Sequence, residues 1–445
     1  MRTIRLHDTR SKQLLDLAPR NPGEVGIYAC GPTVYNRIHV GNARPYVVFS
    51  LLKRFLEHEG LRATLVVNVT DVNDKIYEAA AAQGVPSQQL ADEMTHAYFD
   101  DTDGLGLGRP DHEPLASEMI DPIVAHIQAL IDRGNAYAAE GDVYFRVRSD
   151  PQYGSLSGRS VDQMDQGEGV EGAHLKEDPL DFALWKAAKE SEDTSWDAPW
   201  GRGRPGWHIE CSAMAEELLG TGFEVHGGGN DLVFPHHENE ATQTRMARDV
   251  ELTRIWMHNG MLQMGSEKMA KSVGNVALLH EVLGAWGREV LLWFFSTGHY
   301  RQPLAFTEEA LASARATVAN LRELGRRLGP GPTPERLAPI KERFFAALAD
   351  DFNTPRALEA VAEWRREVAE GEGADDLREM LGILGLDNLL DAQEGPPADV
   401  VALADARGRA REAKDWAESD RLRDDIAAAG WTVRDVAGGY ELVPT

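Results

Sequence analysis

The chain has 445 residues, 42% of them apolar and 27% charged, and its 46 basic residues against 72 acidic ones leave a formal charge of −26. That length exceeds a single core and predicts two or three domains. No apolar run reaches the roughly 18 residues of a membrane-spanning helix, and the net charge is opposite to that first expected of a nucleic-acid binder, although it leaves room for a local basic face. The opening Met1-Arg-Thr-Ile-Arg-Leu-His-Asp carries charges where an export signal would be apolar, so a cytoplasmic location is expected.

Along the chain, Gly26–Cys30 reads as a short buried strand. A helix follows on which Val48, Leu51, Leu52, Phe55 and Leu56 recur at helical spacing, ended by Gly60, and then a strand at 63–70. Strand, helix, strand is the unit of a parallel sheet. Residues 115–203 shift in character: a helix at Ile120–Ile131, a strand at Asp142–Val147 and a loop-rich acidic stretch through Gly167–Glu171. The alternating pattern resumes with a helix after Pro205-Gly206, a strand at Phe223–His226, a helix from Leu232 and a strand at Trp256–Gln263. The predicted class is therefore α/β, a Rossmann-like parallel-sheet domain split by an insertion. Past Phe306 helices dominate, with Leu311, Val318, Leu321 and Leu328 on one face of a helix at Thr307–Leu328. Pro-rich links at 329–334 and 394–398 precede a small α+β end domain, whose Trp431–Val436 and Tyr440–Val443 read as a hairpin. The predicted segments are 1–114 and 204–250 for the two halves of the nucleotide fold, 115–203 for the insertion, 251–306 for a lysine loop and stem-contact region, 307–393 for a helical bundle and 399–445 for the end domain.

Three constellations carry chemistry. The first is Phe234-Pro-His-His-Glu-Asn-Glu240. Pro235 belongs in a first helical turn, which puts His236 and Glu240 at i, i+4 on one face and turns His237 and Glu238 away. By itself that spacing is more often a surface pair, and the second histidine of a metallopeptidase motif is missing. The only cysteines, Cys30 and Cys211, are each predicted at the ligand-binding edge of the sheet. With His236 and Glu240 they make a tetrahedral zinc set, against the alternative of two buried thiols. The second constellation is Thr33 to Asn42. Pro45 again marks a first turn, so Asn42 is expected near the helix N-cap, with unpaired amides and Gly41 open to an anion, or simply as part of a capped helix. The third is Met264-Gly-Ser-Glu-Lys268-Met-Ala-Lys271-Ser272, whose two lysines can close on phosphate oxygens or stand as a solvated charged loop.

In order, Cys30-Gly-Pro-Thr-Val-Tyr35, His39-Val-Gly-Asn42, Trp207-His-Ile-Glu-Cys-Ser212, Pro235-His-His-Glu-Asn-Glu240 and Lys268-Met-Ala-Lys-Ser272 resemble the class I cysteinyl-tRNA synthetases. The likeness extends through Asn68–Lys75, Gly298-His-Tyr300 and Asp351–Pro355, over almost the whole chain. It implies one zinc per chain held by Cys30, Cys211, His236 and Glu240. It implies ATP with Mg²⁺ against Gly41, Asn42 and Lys271, catalytic roles for His39, Asn42, Lys268 and Lys271, and a cysteine pocket of Thr33, Thr70, Trp207, His226 and Asp231. L-cysteine and the tRNA for cysteine are the implied partners, and a monomer is expected. Asn42 stands where the family motif has a second histidine and Ala270 where it has a serine, leaving the lysine charges and the helix terminus intact. Zinc has a physical purpose here, because a pocket that judges shape alone rejects an isostere such as serine by only about 10²-fold. For RNA, the basic and aromatic residues Arg322, Arg326, Arg327, Arg407, Arg409, Arg411, Trp416 and Trp431 are candidates. The rival readings are a ligase joining cysteine to a glucosamine-inositol in mycothiol synthesis, a nucleotide-binding module without catalysis, and a zinc hydrolase.

Overall fold

In the computed structural model, which describes residues 2–164, 172–190, 192–264, 267–268, 277–391, 397–436 and 439–444, four parallel strands are covered on both sides. They follow the order Thr253–Asn259, Phe223–Gly229, Glu24–Ala29, Arg62–Val67 across the sheet. The strand Phe223–Gly229 is buried at every position, as a central strand covered on both faces requires. The chain leaves the strand Glu24–Ala29 for its neighbour on one side, through the helix Val40–His58, and later adds Phe223–Gly229 on the other side. A topological switch point therefore lies at the carboxyl edge beyond Ala29 and Gly229, where a crevice for ligands opens in sheets of this kind.

Between the second and third strands, the helix Ile120–Asp132 and an antiparallel sheet of Ala136–Ala139, Asp142–Phe145, Phe182–Ala187 and Gly203–Pro205 form the insertion. Its core does not close on itself. Ile123, Ile127, Val143, Phe145 and Trp185 pack with Ile209 and Ala213 of the next helix, Trp207–Leu219. The acidic stretch 167–171 lies outside the described residues.

Two expected elements differ. The predicted strand Trp256–Gln263 is two strands: Thr253–Asn259 completes the parallel sheet, and Leu262–Met264 joins Glu267–Lys268 and Leu304–Phe306 in a separate three-stranded sheet. The parallel sheet thus runs past residue 250. The helix expected from Leu232 starts at Glu238, after a single-turn helix Asn230–Leu232 and a wide turn Val233–His237. Phe234 is extended (φ −140°, ψ 131°) ahead of the cis Phe234–Pro235 bond, because a residue before proline is kept out of the helical region.

The chain forms two compact units, Met1–Leu390 and Asp391–Thr445. In the first, one hydrophobic core runs unbroken from Val25 and Ile27 of the sheet, through Phe49 and Phe55 of the helix Val40–His58, to Phe344 and Trp364 of the helices Ala338–Ala349 and Thr354–Glu367. The second unit has two helices, Ala398–Glu412 and Trp416–Ala428, and the antiparallel pair Trp431–Val436 and Gly439–Pro444 around Val400, Ala404, Ile426 and Val433. Among the described residues, no helix is long and apolar enough to cross a membrane.

Gly227 sits between Ala29 and Met257 in the two neighbouring strands. A Cβ there would collide with the carbonyl oxygen of Met257 and the ring of Phe49, both fully buried. Overpacking of this kind costs about 1–3 kcal/mol. Urea unfolding of Gly227→Ala is expected to show that loss; a parental midpoint would mean that the sheet and the helix above it yield freely.

Candidate active site and metal-binding cluster

Cys30 is the first residue past the strand Glu24–Ala29, held there by its N–H bond to the carbonyl of Gly227 (2.9 Å). Gly31 then donates to Asn68 Oδ1 (3.0 Å), and Asn68 is also the acceptor for the Cys211 thiol at 3.7 Å. Cys211 lies in the first turns of the helix Trp207–Leu219, and His236 and Glu240 arrive on the segment that follows the strand Phe223–Gly229. Three separate pieces of backbone converge at the switch point.

Ligand atoms of Cys30, Cys211, His236 and Glu240 all lie within 4.8 Å of one another, and so do those of an overlapping set, Cys30, His226, His237 and Glu240. All six side chains are buried. Glu240 has Oε1 at 3.0 Å from His236 Nε2 and Oε2 at 3.1 Å from His226 Nε2. Cys30 Sγ is 3.5 Å from Glu240 Oε1 and 3.3 Å from His237 Nε2. His237 therefore does not turn away as expected. It stands at i, i+3 to Glu240, a spacing that shares a helix face just as i, i+4 does. Glu238 does turn away, accepting from the amides of Gly154 (2.9 Å) and Ser157 (2.7 Å) in the insertion.

The far nitrogens of both imidazoles are also held. His236 Nδ1 meets His208 Nδ1 at 2.8 Å, and His237 Nδ1 meets His258 Nε2 at 2.6 Å. Anchoring of this sort fixes which ring nitrogen faces inward. Sequence reasoning missed His208 and His258; the first was visible beside Trp207 in the motif quoted, the second only as a residue near the end of a parallel strand.

Burial, then the neighbouring thiol and Glu240, pushes the Cys30 thiol well up, and burial raises Cys211 as well. His236 and His237 are pushed well below the usual imidazole range, first by burial and then by the surrounding rings. The pocket thus holds neutral imidazoles and strongly disfavours thiolates, and a divalent cation reverses the thiol preference. Among the described residues, Glu240 Oε2 has no well-directed hydrogen-bond partner despite complete burial, its His226 contact being an approach in distance alone. Soft sulfur, imidazole and one under-satisfied carboxylate fit a borderline-soft cation. This cluster can hold a metal.

A cavity of about 490 Å³ opens above it, with Cys30, Thr33, Trp207 and Asp231 in the wall at one end and His39, Gly41 and Asn42 at the other. The volume suits a nucleotide-sized ligand. The Trp207 ring stacks on His236 at 4.3 Å between centroids, so one residue touches both cavity and cluster. Thr70 and His226 do not line the cavity. Thr70 is buried behind it, bonded to Asn68 (3.3 Å) and Glu210 (3.2 Å), with its backbone pinning the loop of Thr33, while His226 belongs to the cluster.

At the start of the helix Val40–His58 the N-cap is His39, and Asn42 is near it as expected. Asn42 N–H donates to His39 Nδ1 and His39 N–H to Asn42 Oδ1, each at 3.2 Å, a reciprocal capping box that places Asn42 at the third helical position and Pro45 inside the helix. Lys268 lies on a strand paired with Gln263, and Ala270 and Lys271 lie outside the described residues.

A model of the class I (C) tRNA synthetase catalytic domain matches residues 16–316, and one of the cysteinyl-tRNA ligase anticodon-binding domain matches residues 394–441. Among solved structures, methionyl-tRNA synthetase of Mycobacterium tuberculosis with methionyl-adenylate superposes with a TM-score of 0.59 at 15% identity, over 82% of this chain and 89% of that one. The LeuRS of Agrobacterium radiobacter, in a ternary complex with tRNA, gives 0.60 at 11% identity over 85% and 86%. The fold is that of the class I aminoacyl-tRNA synthetases. At the level of sequence, the cysteine–tRNA ligase of Methylocella silvestris is 46% identical over 462 residues, 99% of this chain and 100% of the relative. That of Geobacillus thermodenitrificans is 41% identical over 463 residues, 99% and 98% respectively. The chain belongs to the cysteine–tRNA ligase family.

The two donor sets share Cys30 and Glu240, so variants of the unshared residues separate them. Elemental analysis is expected to find no bound metal in Cys211→Ala. His237→Asn should retain it with affinity weakened by roughly 10- to 100-fold, as for an outer partner. Full retention in the first variant and loss in the second would assign the ion to the other set.

Proposed function

We propose that this chain activates L-cysteine with ATP, releases pyrophosphate and transfers the cysteinyl group to the 3′ end of the tRNA for cysteine, with zinc on Cys30, Cys211, His236 and Glu240 selecting the thiol over serine. One observation carries the reading: four buried donors gather beside a cavity that Cys30 itself lines, together with Trp207, which stacks on His236, and with His39, Gly41 and Asn42 at the start of a helix.

Zinc, when bound, supplies a soft Lewis acid that prefers a thiolate to an alcohol and lowers the thiol pKa. The remaining work falls to the protein. Asp231, in the cavity wall, is suited to the substrate ammonium, and Trp207 and Thr33 flank the side chain. Thr70 and His226 act from behind, by holding Thr33's loop and by packing the cluster. The cysteine carboxylate attacks the α-phosphorus of Mg²⁺-bound ATP while pyrophosphate departs toward the helix start at His39, Gly41 and Asn42 and the charges of Lys268 and Lys271. Positioning and electrostatic stabilisation supply the rate, without a covalent enzyme intermediate. The tRNA ribose then takes the acyl group.

The match of residues 394–441 to an anticodon-binding domain favours tRNA over a small amine acceptor, and with it translation over mycothiol synthesis. Within that unit the expected RNA contacts narrow. Arg407 is buried and donates twice to Asp435 (2.9 and 3.2 Å), and Arg411 donates to the same carboxylate (2.6 Å), so both are engaged in holding the hairpin. Trp431 packs on the core of the unit, which leaves Trp416, 59% exposed, as its aromatic candidate for stacking. A cytoplasmic monomer completes the reading.

Charging of purified tRNA with cysteine and with serine, before and after chelation, tests this. Cysteine charging is expected to collapse with metal removal and the preference over serine to shrink toward the roughly 10² that shape alone supplies. Equal charging of both amino acids by the metal-loaded protein, or transfer to a small amine but not to tRNA, would overturn it. Asp231→Asn should raise the KM for cysteine by about tenfold or more, the worth of a hydrogen bond to a charged group.

A further inference from the structure

Arg44 sits two residues past Asn42 on the helix Val40–His58 and is 1% exposed. Its Nη1 donates to the carbonyl oxygens of Gly260 (2.5 Å) and Met261 (3.3 Å), and Nη2 to that of His299 (3.2 Å). Among the described residues Nε has no partner and no carboxylate shares the charge, so burial alone acts on it and lowers its pKa to about 10. The side chain remains a cation at neutral pH. Arginines are almost never buried to this extent unless paired with a carboxylate, so helix packing does not account for its being here.

The three carbonyls belong to two segments that backbone bonds already join, Leu304 N–H to the Met261 carbonyl (3.1 Å) among them, and Arg44 ties that pair to the helix. Gly260 and Met261 line the cavity that also holds His39 and Asn42, and Met261 leads into the strand Leu262–Met264, with which Lys268 is paired. His299 precedes Tyr300 and Arg301. The Tyr300 hydroxyl donates to Asp351 Oδ1 (2.7 Å) and the Arg301 Nε to Asp351 Oδ2 (2.8 Å), between the helices Ala338–Ala349 and Thr354–Glu367. Gly260 N–H in turn donates to the Tyr300 carbonyl (2.7 Å), which closes the circuit.

We propose that Arg44 is a positioning residue for adenylate formation: its planar fork ties the Gly260–Met261 wall and the His299 turn to the helix that starts at His39, so that the phosphate end of the cavity and the lysine-bearing strand keep one geometry. This rests on that cavity being the ATP site. The fork is what matters, because a lysine retains charge and donors but cannot bridge carbonyls in a fixed plane.

Cysteine-dependent exchange of pyrophosphate into ATP, run on parent, Arg44→Lys and Arg44→Met, separates the possibilities. In Arg44→Lys the KM for ATP is expected to rise about tenfold and kcat to fall about as much, in line with the cost of a small misplacement at the reacting centre. The KM for cysteine, the bound metal and the melting temperature should stay near parental values, and Arg44→Met should lose more. Parental kinetics in Arg44→Lys, a parallel rise in both KM values, or a lysine variant that cannot be obtained folded would each overturn the proposal, the last by making Arg44 a residue of stability alone. Absence of exchange in the parent would instead count against the cavity as an ATP site.

Discussion

Taking a carboxylate and two ionisable thiols out of water carries a cost of several kcal/mol per ion when they are charged, and the switch point of this sheet does so within a few ångströms. Around Cys30, Cys211, His236 and Glu240, burial drives both the thiols and the His236 imidazole toward their neutral forms. The contacts inside the cluster, such as His236 Nε2 to Glu240 Oε1 at 3.0 Å, are not what gathers it. It persists because each donor is delivered by a rigid element: the end of a central strand, the first turns of one helix and the start of another. Buried ligand atoms directed at one another by a scaffold with other work to do are the physical signature of a preformed cation site.

How much of this could be read beforehand depended on distance along the chain. The parallel sheet and its interruption are legible from the order of strand and helix patterns, and Cys30 and Cys211 can be placed at the same edge because one ends a predicted strand and the other lies on the helix that opens after Pro205-Gly206. The boundaries near Phe234 and Gly260 are not. Pro235 marks a first helical turn by the usual preference, whereas the chain stays extended at Phe234 and enters the helix only at Glu238. The split at Gly260 is enforced by the backbone of Tyr300 and the guanidinium of Arg44, partners 40 and 216 positions away, and no local pattern reports them.

The same limit governed the site. The i, i+4 spacing alone sets His237 aside although i, i+3 shares the same face, and Pro45, expected in a first turn, stands deeper in the helix, with Asn42 near the cap as its reciprocal partner. Thr70 and His226 were chemically suited to a pocket wall, yet each stands one layer behind it. Sequence identifies which side chains gather at an edge; layer by layer depth is set by packing, which is a property of the whole core.

One further feature has reach beyond its locality. The last strand of the inserted sheet, Gly203–Pro205, is joined to the helix that bears Cys211 by Gly206 alone, where any side chain would strike the carbonyl of Ala183. The joint has no slack. With about 100° of rotation per helical residue, lengthening Trp207–Cys211 by one position would swing the sulfur out of the cluster. A length change between Gly203 and Cys211 would therefore displace the thiol, whereas one in a loop between the strands of the inserted sheet would leave this joint untouched.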